Sequence, residues 1–166
     1  MAPSDRIVIG PPRDAADLDA IEALFREHAG SLGFSLDYQG FEAELAELPG
    51  KYTPPAGALL LARAEAAAAG AVALRPLAPG ICEIKRLSVR PNHRGARTGE
   101  GLSIGRAPAL RIVAEGRARG YRRLRLDTIS GRMESAVRLY RSMGFVDIPS
   151  YCPSPVPDTA NMELIL

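Results

Sequence analysis

Apolar and polar positions along this chain change period several times, and each change marks an element. Arg6 to Gly10 is a short apolar run stopped by Pro11-Pro12, which predicts a first strand. Leu18, Ile21, Leu24 and Phe25 then recur at helical spacing. Asp14 or Asp17 stands where a cap belongs, and Gly30 to Gly33 where the helix should fray. Phe41, Leu45 and Leu48 repeat the spacing in a shorter helix that Pro49-Gly50 ends. Three strands without helical period follow, Ala58 to Ala64, Ala71 to Leu77 and Ile81 to Val89. Their turns fall at Glu65 to Ala69 and at Pro79-Gly80. If the strand at 81–89 is unbroken, Ile81, Glu83, Lys85, Leu87 and Val89 share one face.

Helical spacing returns at Ala109 to Arg119, with Gly120 as its stop. Arg122 to Thr128 reads as a strand in which Leu124 and Leu126 alternate with Arg123 and Arg125. Met133 to Met143 is a helix ended by Gly144; Phe145 to Ile148 and Met162 to Leu166 are the last strands. Pro149 to Asn161, which joins them, holds four prolines and predicts an irregular loop. Antiparallel neighbours come early and crossover helices late. That order predicts an α/β (α+β) mixed sheet of about seven strands with helices on both faces. No repeat or linker divides the chain, so residues 1–166 are expected to form one domain.

Composition narrows the function classes. A net charge of +2 and 5% aromatic residues give no nucleic-acid signature. No apolar stretch is long enough for a signal peptide or a bilayer span, so a cytoplasmic protein is expected. Cys82 and Cys152 lack metal-ligand spacing and read as free thiols in a reducing compartment. No metal is implied. His28 and His93 have no partner in a recognisable catalytic arrangement and read as ordinary surface or capping residues.

Arginine dominates the basic residues, and four arginines crowd one loop. Arg90, Arg94, Arg97 and Arg106 lie among Gly95, Gly99, Gly101 and Gly105, between a strand and a helix. Glycines let backbone N–H groups converge on an anion, and the following helix adds its positive end. The pattern points to a phosphate cradle; the plainer reading is a solvated loop. Glu83 reads either as a general base or as a strand carboxylate paired with Lys85 or an arginine. Tyr140 shares a helix face with Met133, Ala136 and Val137, and reads as a proton donor or as a core tyrosine. Asp127-Thr128 ends a strand, where substrate contacts and helix caps are both common.

A strand ending in Leu87-Ser88-Val89-Arg90-Pro91 leads into this Arg/Gly loop and a helix. A further strand and a helix ending in Leu139-Tyr140-Arg141-Ser142-Met143-Gly144-Phe145 follow. That succession resembles the acyl-CoA-binding half of the GNAT superfamily of N-acyltransferases. The tail, Tyr151 to Pro157 followed by Met162-Glu163-Leu164, is similar to a branch of small bacterial GNAT proteins.

The resemblance implies acetyl-CoA as cosubstrate and a primary amine, small or peptidic, as acceptor, without nucleic acid or membrane; a homodimer is left open. It implies Glu83 as base and Tyr140 as acid. Leu87, Ser88 and Val89 would hold the pantetheine arm and the oxyanion. Arg94, Gly95, Gly99, Gly101, Gly105 and Arg106 would cradle the pyrophosphate, and Ala136 would sit against the cofactor. The acceptor would meet Phe34, Tyr38, Tyr52, Asp127 and Tyr151. One departure stands out. The family's Gln/Arg-x-x-Gly-x-Gly/Ala run has no match here: about six extra residues follow Arg94-Gly95, and Pro108 pins the helix start near Ala107. This motivates the alternative of a catalytically weakened acyl-CoA- or partner-binding module.

Overall fold

The computed structural model describes residues 6–33, 35–93, 96–99, 101–129, 134–152 and 154–166, with the backbone alone at Tyr38. Seven strands, β1 Ile7–Gly10, β2 Ala58–Ala64, β3 Ala67–Ala78, β4 Ile81–Val89, β5 Arg123–Ile129, β6 Val146–Asp147 and β7 Thr159–Ile165, form a mixed sheet. Their order is β1-β2-β3-β4-β5-β7-β6, and every pairing is antiparallel except β4 with β5. The helices are α1 Ala15–Ser31, α2 Phe41–Ala46, α3 Arg106–Ala118 and α4 Glu134–Ser142. The expected class is therefore the observed one. The main boundary corrections are at β3, which starts at Ala67 because Glu65, at φ 56°, turns the chain in two residues, and at β7, which starts at Thr159. The alanines after that turn carry no polar group to resist the ladder.

Alternation along the strands assigns the two faces. Ala58 and Leu60 of β2, Val72 and Leu74 of β3, Cys82 and Ile84 of β4, and Leu124 and Leu126 of β5 pack with Ala109, Ile112 and Val113 of α3 and Tyr140 of α4. Leu59, Leu61, Ala71 and Ala73 point the other way, against Ile21, Leu24 and Phe25 of α1. The small Ala71 and Ala73 let this helix lie close to the sheet. Ile21, Leu24 and Phe25 are 0–1% exposed, and burying each contributes roughly 1.5–3 kcal/mol. Asp14 caps α1 by accepting from the Asp17 N–H at 2.9 Å.

Two irregularities shape the sheet's centre. Ala71 pairs with Ser88 but Ala73 with Lys85, so β4 carries one residue more than its partner. This bulge places Arg86 at φ 61°. The expected single face for positions 81–89 is therefore broken: Cys82 and Ile84 face α3, and beyond the bulge Leu87 joins them. The second irregularity is a splay. β4 and β5 pair only over Ile81–Glu83 and Arg123–Arg125, then part.

The described residues of the inserted loop, 96–99 and 101–105, are folded. Arg97 bridges Arg6 on one side and Ser103 on the other, and Ile7 donates to the Arg97 carbonyl at 2.9 Å. Thr98 and Leu102 close a small hairpin, with Gly101 at φ 84°. Ala96 and Ile104 are buried with Ile7, Ala62, Ala64 and Ala69. The extra residues thus cover the edge of β1, a strand that would otherwise present unpaired backbone.

Candidate active site

The face of the sheet that α1 and α2 leave uncovered is polar. Alternation turns Arg75 of β3, Glu83 and Lys85 of β4, Arg125 and Asp127 of β5, and Asn161 and Glu163 of β7 toward it. Arg75 and Glu83 are direct cross-strand partners. Arg75 Nε donates to Glu83 Oε1 at 2.7 Å, and Lys85 Nζ lies 3.8 Å from the same oxygen. The Tyr151 hydroxyl, from the loop between β6 and β7, donates to Glu83 Oε2 at 2.5 Å. Glu83 is 1% exposed. A carboxylate has about four lone-pair sites, so these contacts leave room for one more donor. Burial, then the Glu83 charge, pushes the Tyr151 hydroxyl far above its ordinary range, so it remains a donor. The Arg125 guanidinium stacks on the Tyr151 ring at 5.4 Å and pairs with Glu163 at 2.8 Å. Lys85 also reaches Asp127 at 3.5 Å. Cys152 lines this cleft as a free thiol, raised by burial and by Asp127 and Glu83.

A second cleft opens where β4 and β5 splay. It is lined by Ile84, Leu87, Leu126, Asp127, Ala136 and Tyr140, among others. The Arg90 N–H donates to the Ala69 carbonyl on β3. Alternation along the strand then turns the N–H groups of Val89 and Leu87 toward the open side. Tyr140 comes from α4, edge-on to Phe145 at 5.4 Å, and its hydroxyl takes no hydrogen bond from the described residues. Burial raises its pKa well above the ordinary tyrosine value, so it is protonated at neutral pH. The two clefts share Gln39, Lys85, Arg86 and Asp127.

Arg86 forms the wall between them. Its Nε and Nη2 donate to Glu44 of α2 at 3.0 and 3.2 Å, and its guanidinium lies 4.9 Å over the Phe41 ring. Ser88 Oγ donates to the Arg86 carbonyl at 2.8 Å. His28 of α1 lines the splay cleft; burial and the Arg86 charge lower its pKa.

The structure brings together Glu83, Asp127 and Tyr151 in one cleft and Leu87, Ala136 and Tyr140 in the other. Val89 and Ser88 lie on the same strand, with Ser88 held inward by its own hydrogen bond. Tyr52 sits elsewhere: it is 1% exposed in the α1–α2 core, and burial and Glu44 push its hydroxyl up. It backs Glu44 and does not line either cleft. Phe34, Arg94 and Gly95 lie outside the described residues, as does the Tyr38 side chain. Gly99 and Gly101 belong to the small hairpin, and Gly105 and Arg106 open α3. There the Arg106 N–H donates to Ser103 Oγ at 3.1 Å and the Ala107 N–H to the Ser103 carbonyl at 2.9 Å. Pro108 has no N–H. The Arg106 side chain donates to Ser142 Oγ at 2.8 Å. The Arg106 and Ala107 N–H groups at the start of α3 are therefore bonded within the chain.

Sequence reasoning missed Arg75, Arg86, Glu44 and the siting of His28. Arg75 carried a signal: it is a charge in an apolar run, opposite Glu83 across the Pro79-Gly80 turn. Arg86 carried none, because a bulge at a non-glycine residue leaves no trace in composition.

The sequence model described as the Acetyltransferase (GNAT) family matches residues 20–145. An uncharacterised N-acetyltransferase of Schizosaccharomyces pombe is 38% identical over 166 residues, covering 99% of this chain and 97% of that protein. The alignment runs through the tail, so that likeness extends to a eukaryotic protein. An acetyltransferase structure from Streptococcus agalactiae superposes with a TM-score of 0.76 at 19% identity, over 96% of this chain and 98% of that one. The PaiA N-acetyltransferase of Thermoplasma acidophilum, in complex with coenzyme A, superposes at 0.69 with 18% identity, over 96% and 99%.

Proposed function

We propose that this chain, which belongs to the GNAT acetyltransferase family, acts over residues 1–166 as one catalytic unit that moves an acetyl group from acetyl-CoA to a primary amine. The observation that carries this reading is the meeting of the two clefts at Lys85, Arg86 and Asp127. One holds a buried carboxylate, the other a protonated tyrosine beside open strand backbone. The pantetheine arm would lie along Leu87 to Val89 as an added strand, with Ala136 against it. The amine enters from the Glu83 side and attacks the thioester carbonyl. Glu83 takes its proton, directly or through water. The Leu87 N–H faces the developing oxyanion. The C–S bond breaks and the Tyr140 hydroxyl gives its proton to the leaving thiolate. Nothing in this scheme routes through a metal: Lys85 already stands between Glu83 and Asp127.

Acetyl-CoA should raise the melting temperature, and at a hundredfold excess over Kd the stabilisation is about 2.7 kcal/mol. Contacts of exposed arginines to phosphate make the affinity fall with salt. No shift at millimolar acetyl-CoA sinks the transferase reading. A shift without amine-dependent release of free CoA thiol, across a broad panel of amines, favours an acyl-CoA-binding module.

A further inference from the structure

The charges of the acceptor cleft are not balanced, and the imbalance identifies the substrate class. Its carboxylates are Glu44, Glu83 and Asp127. Each is already held by a cation: Glu44 by both donors of Arg86, Glu83 by Arg75 and Lys85, Asp127 by Lys85. Among the described residues no carboxylate is left to receive a second ammonium of a polycationic amine. The cations are differently placed. Arg75 meets Glu83 through Nε alone, and its terminal nitrogens have no partner among the described residues. Its side chain is 25% exposed and lines the cleft. Lys51 stands at the rim, exposed, and its ammonium has no partner among the described residues. A planar guanidinium with two free donors is suited to grip a carboxylate or phosphate.

We propose that the acceptor is a small primary amine carrying an anionic group close to its nitrogen, of the α-amino acid kind. The anion lies on the terminal nitrogens of Arg75, with Lys51 behind it, and the amine points at Glu83. Spacing follows from the geometry. Arg75 binds Glu83 with one nitrogen and presents the others from the same plane, so base and anion site are one guanidinium apart. Amine and anion of the substrate must therefore be separated by few bonds. This rests on the acyl-transfer reading above.

The test compares matched acceptors with the purified full chain and acetyl-CoA, following release of CoA thiol. The pairs are α-amino acids against their amides and phosphoethanolamine against ethanolamine, with putrescine and spermidine as cationic competitors. The anionic member should show a kcat/KM at least about tenfold higher, the fold-change expected of one charge-assisted hydrogen bond. The ratio between anionic and neutral member should shrink at high salt, in Lys51→Gln, and further in Arg75→Lys, which keeps the charge and loses the fork. Which pair shows the larger ratio separates carboxylate from phosphate. Equal or better turnover of the amides or the polyamines overturns the proposal. So does a panel in which no member reacts while acetyl-CoA still raises the melting temperature; that result spares donor binding. If acetyl-CoA itself produces no shift, the acyl-transfer reading fails and the proposal with it.

Discussion

Glu83→Gln is the most informative single substitution, because the proposed mechanism gives the carboxylate a chemical duty and its ion pairs give it an electrostatic one. Glutamine keeps the shape and can still accept from Tyr151, but it cannot take a proton from the amine. Loss of general-base help lowers kcat by a factor of about 10² to 10⁴. The electrostatic cost follows from the same contacts. Glu83 is 1% exposed and faces Arg75 at 2.7 Å and Lys85 at 3.8 Å. Breaking a buried ion pair costs about 3–5 kcal/mol. Here the cations are 25% and 14% exposed, and Lys85 keeps Asp127, so a loss of about 2 kcal/mol is expected. At this chain length that lowers Tm by about 4–8 °C. Thermal melts measure the second effect, and thiol release at saturating amine, well below the lowered Tm, measures the first. Acetyl-CoA should bind the variant as well as the parent, since Glu83 lies outside the splay cleft. A variant that melts low but turns over within about twofold of the parent shows that Glu83 is only a strut for Arg75, and refutes its role as base.

Tyr140→Phe keeps the ring against Phe145 and removes a hydroxyl that bonds no described residue; Tm and acetyl-CoA affinity should hold while kcat falls by about 10² or more, and unchanged kcat in a chemistry-limited assay makes Tyr140 a packing residue. Ser103→Ala removes the cap that occupies the Arg106 N–H at 3.1 Å; it should cost about 1 kcal/mol in a thermal melt yet tighten acetyl-CoA binding by freeing a donor at the α3 start, and unchanged or weaker affinity rules out a phosphate site there. His28 has a folded pKa depressed by burial and Arg86, so its contribution to stability is present above its unfolded value near 6.5 and is lost as pH falls below it. The wild-type Tm should therefore drop more than that of His28→Gln between pH 7 and pH 5, and parallel curves show that His28 does not titrate against folding.

The legible parts of this fold are those in which side-chain period and partner face are one property. The alternation Arg123-Leu124-Arg125-Leu126-Asp127 gave both the strand and its two faces, and the face opposite α3 is where the cleft around Glu83 lies. The Pro79-Gly80 turn fixed β3 and β4 as a hairpin, which is why Glu83 could be placed. Tyr140 was legible because helical spacing put it with Ala136 and Val137, and Val137 is buried beside it. Tyr52 misled for an instructive reason: an aromatic with a hydroxyl near a loop reads as a cleft residue, but here Glu44 satisfies the hydroxyl and the ring is free to enter the core. The Arg94–Arg106 loop reads as a phosphate cradle or as a solvated loop because glycines permit either geometry. Its described residues form a small hairpin, for which the edge of β1 offers backbone partners at Arg6 and Ile7.

The bulge in β4 shows how far a site can depend on residues that never touch substrate. A non-glycine residue in the left-handed region costs about 1–2 kcal/mol, and Arg86 at φ 61° is held there. The holding contacts come from α2: Arg86 gives two donors to Glu44, which the Tyr52 hydroxyl backs, and its guanidinium lies over the face of Phe41. Charge-assisted hydrogen bonds contribute about 1.5–3 kcal/mol, so the pair alone offsets the strain. Relaxing the bulge would restore the even alternation of β4, returning Leu87 to the face of Glu83 and Lys85 and turning its N–H back toward β3. The extra residue thus does two things at once: it turns the Leu87 N–H toward the splay cleft, and it brings Arg86 round as the wall between that cleft and the Glu83 cleft. Strain, wall and outward N–H are consequences of the same turn of the chain, and α2 maintains all of them through Glu44 and Phe41.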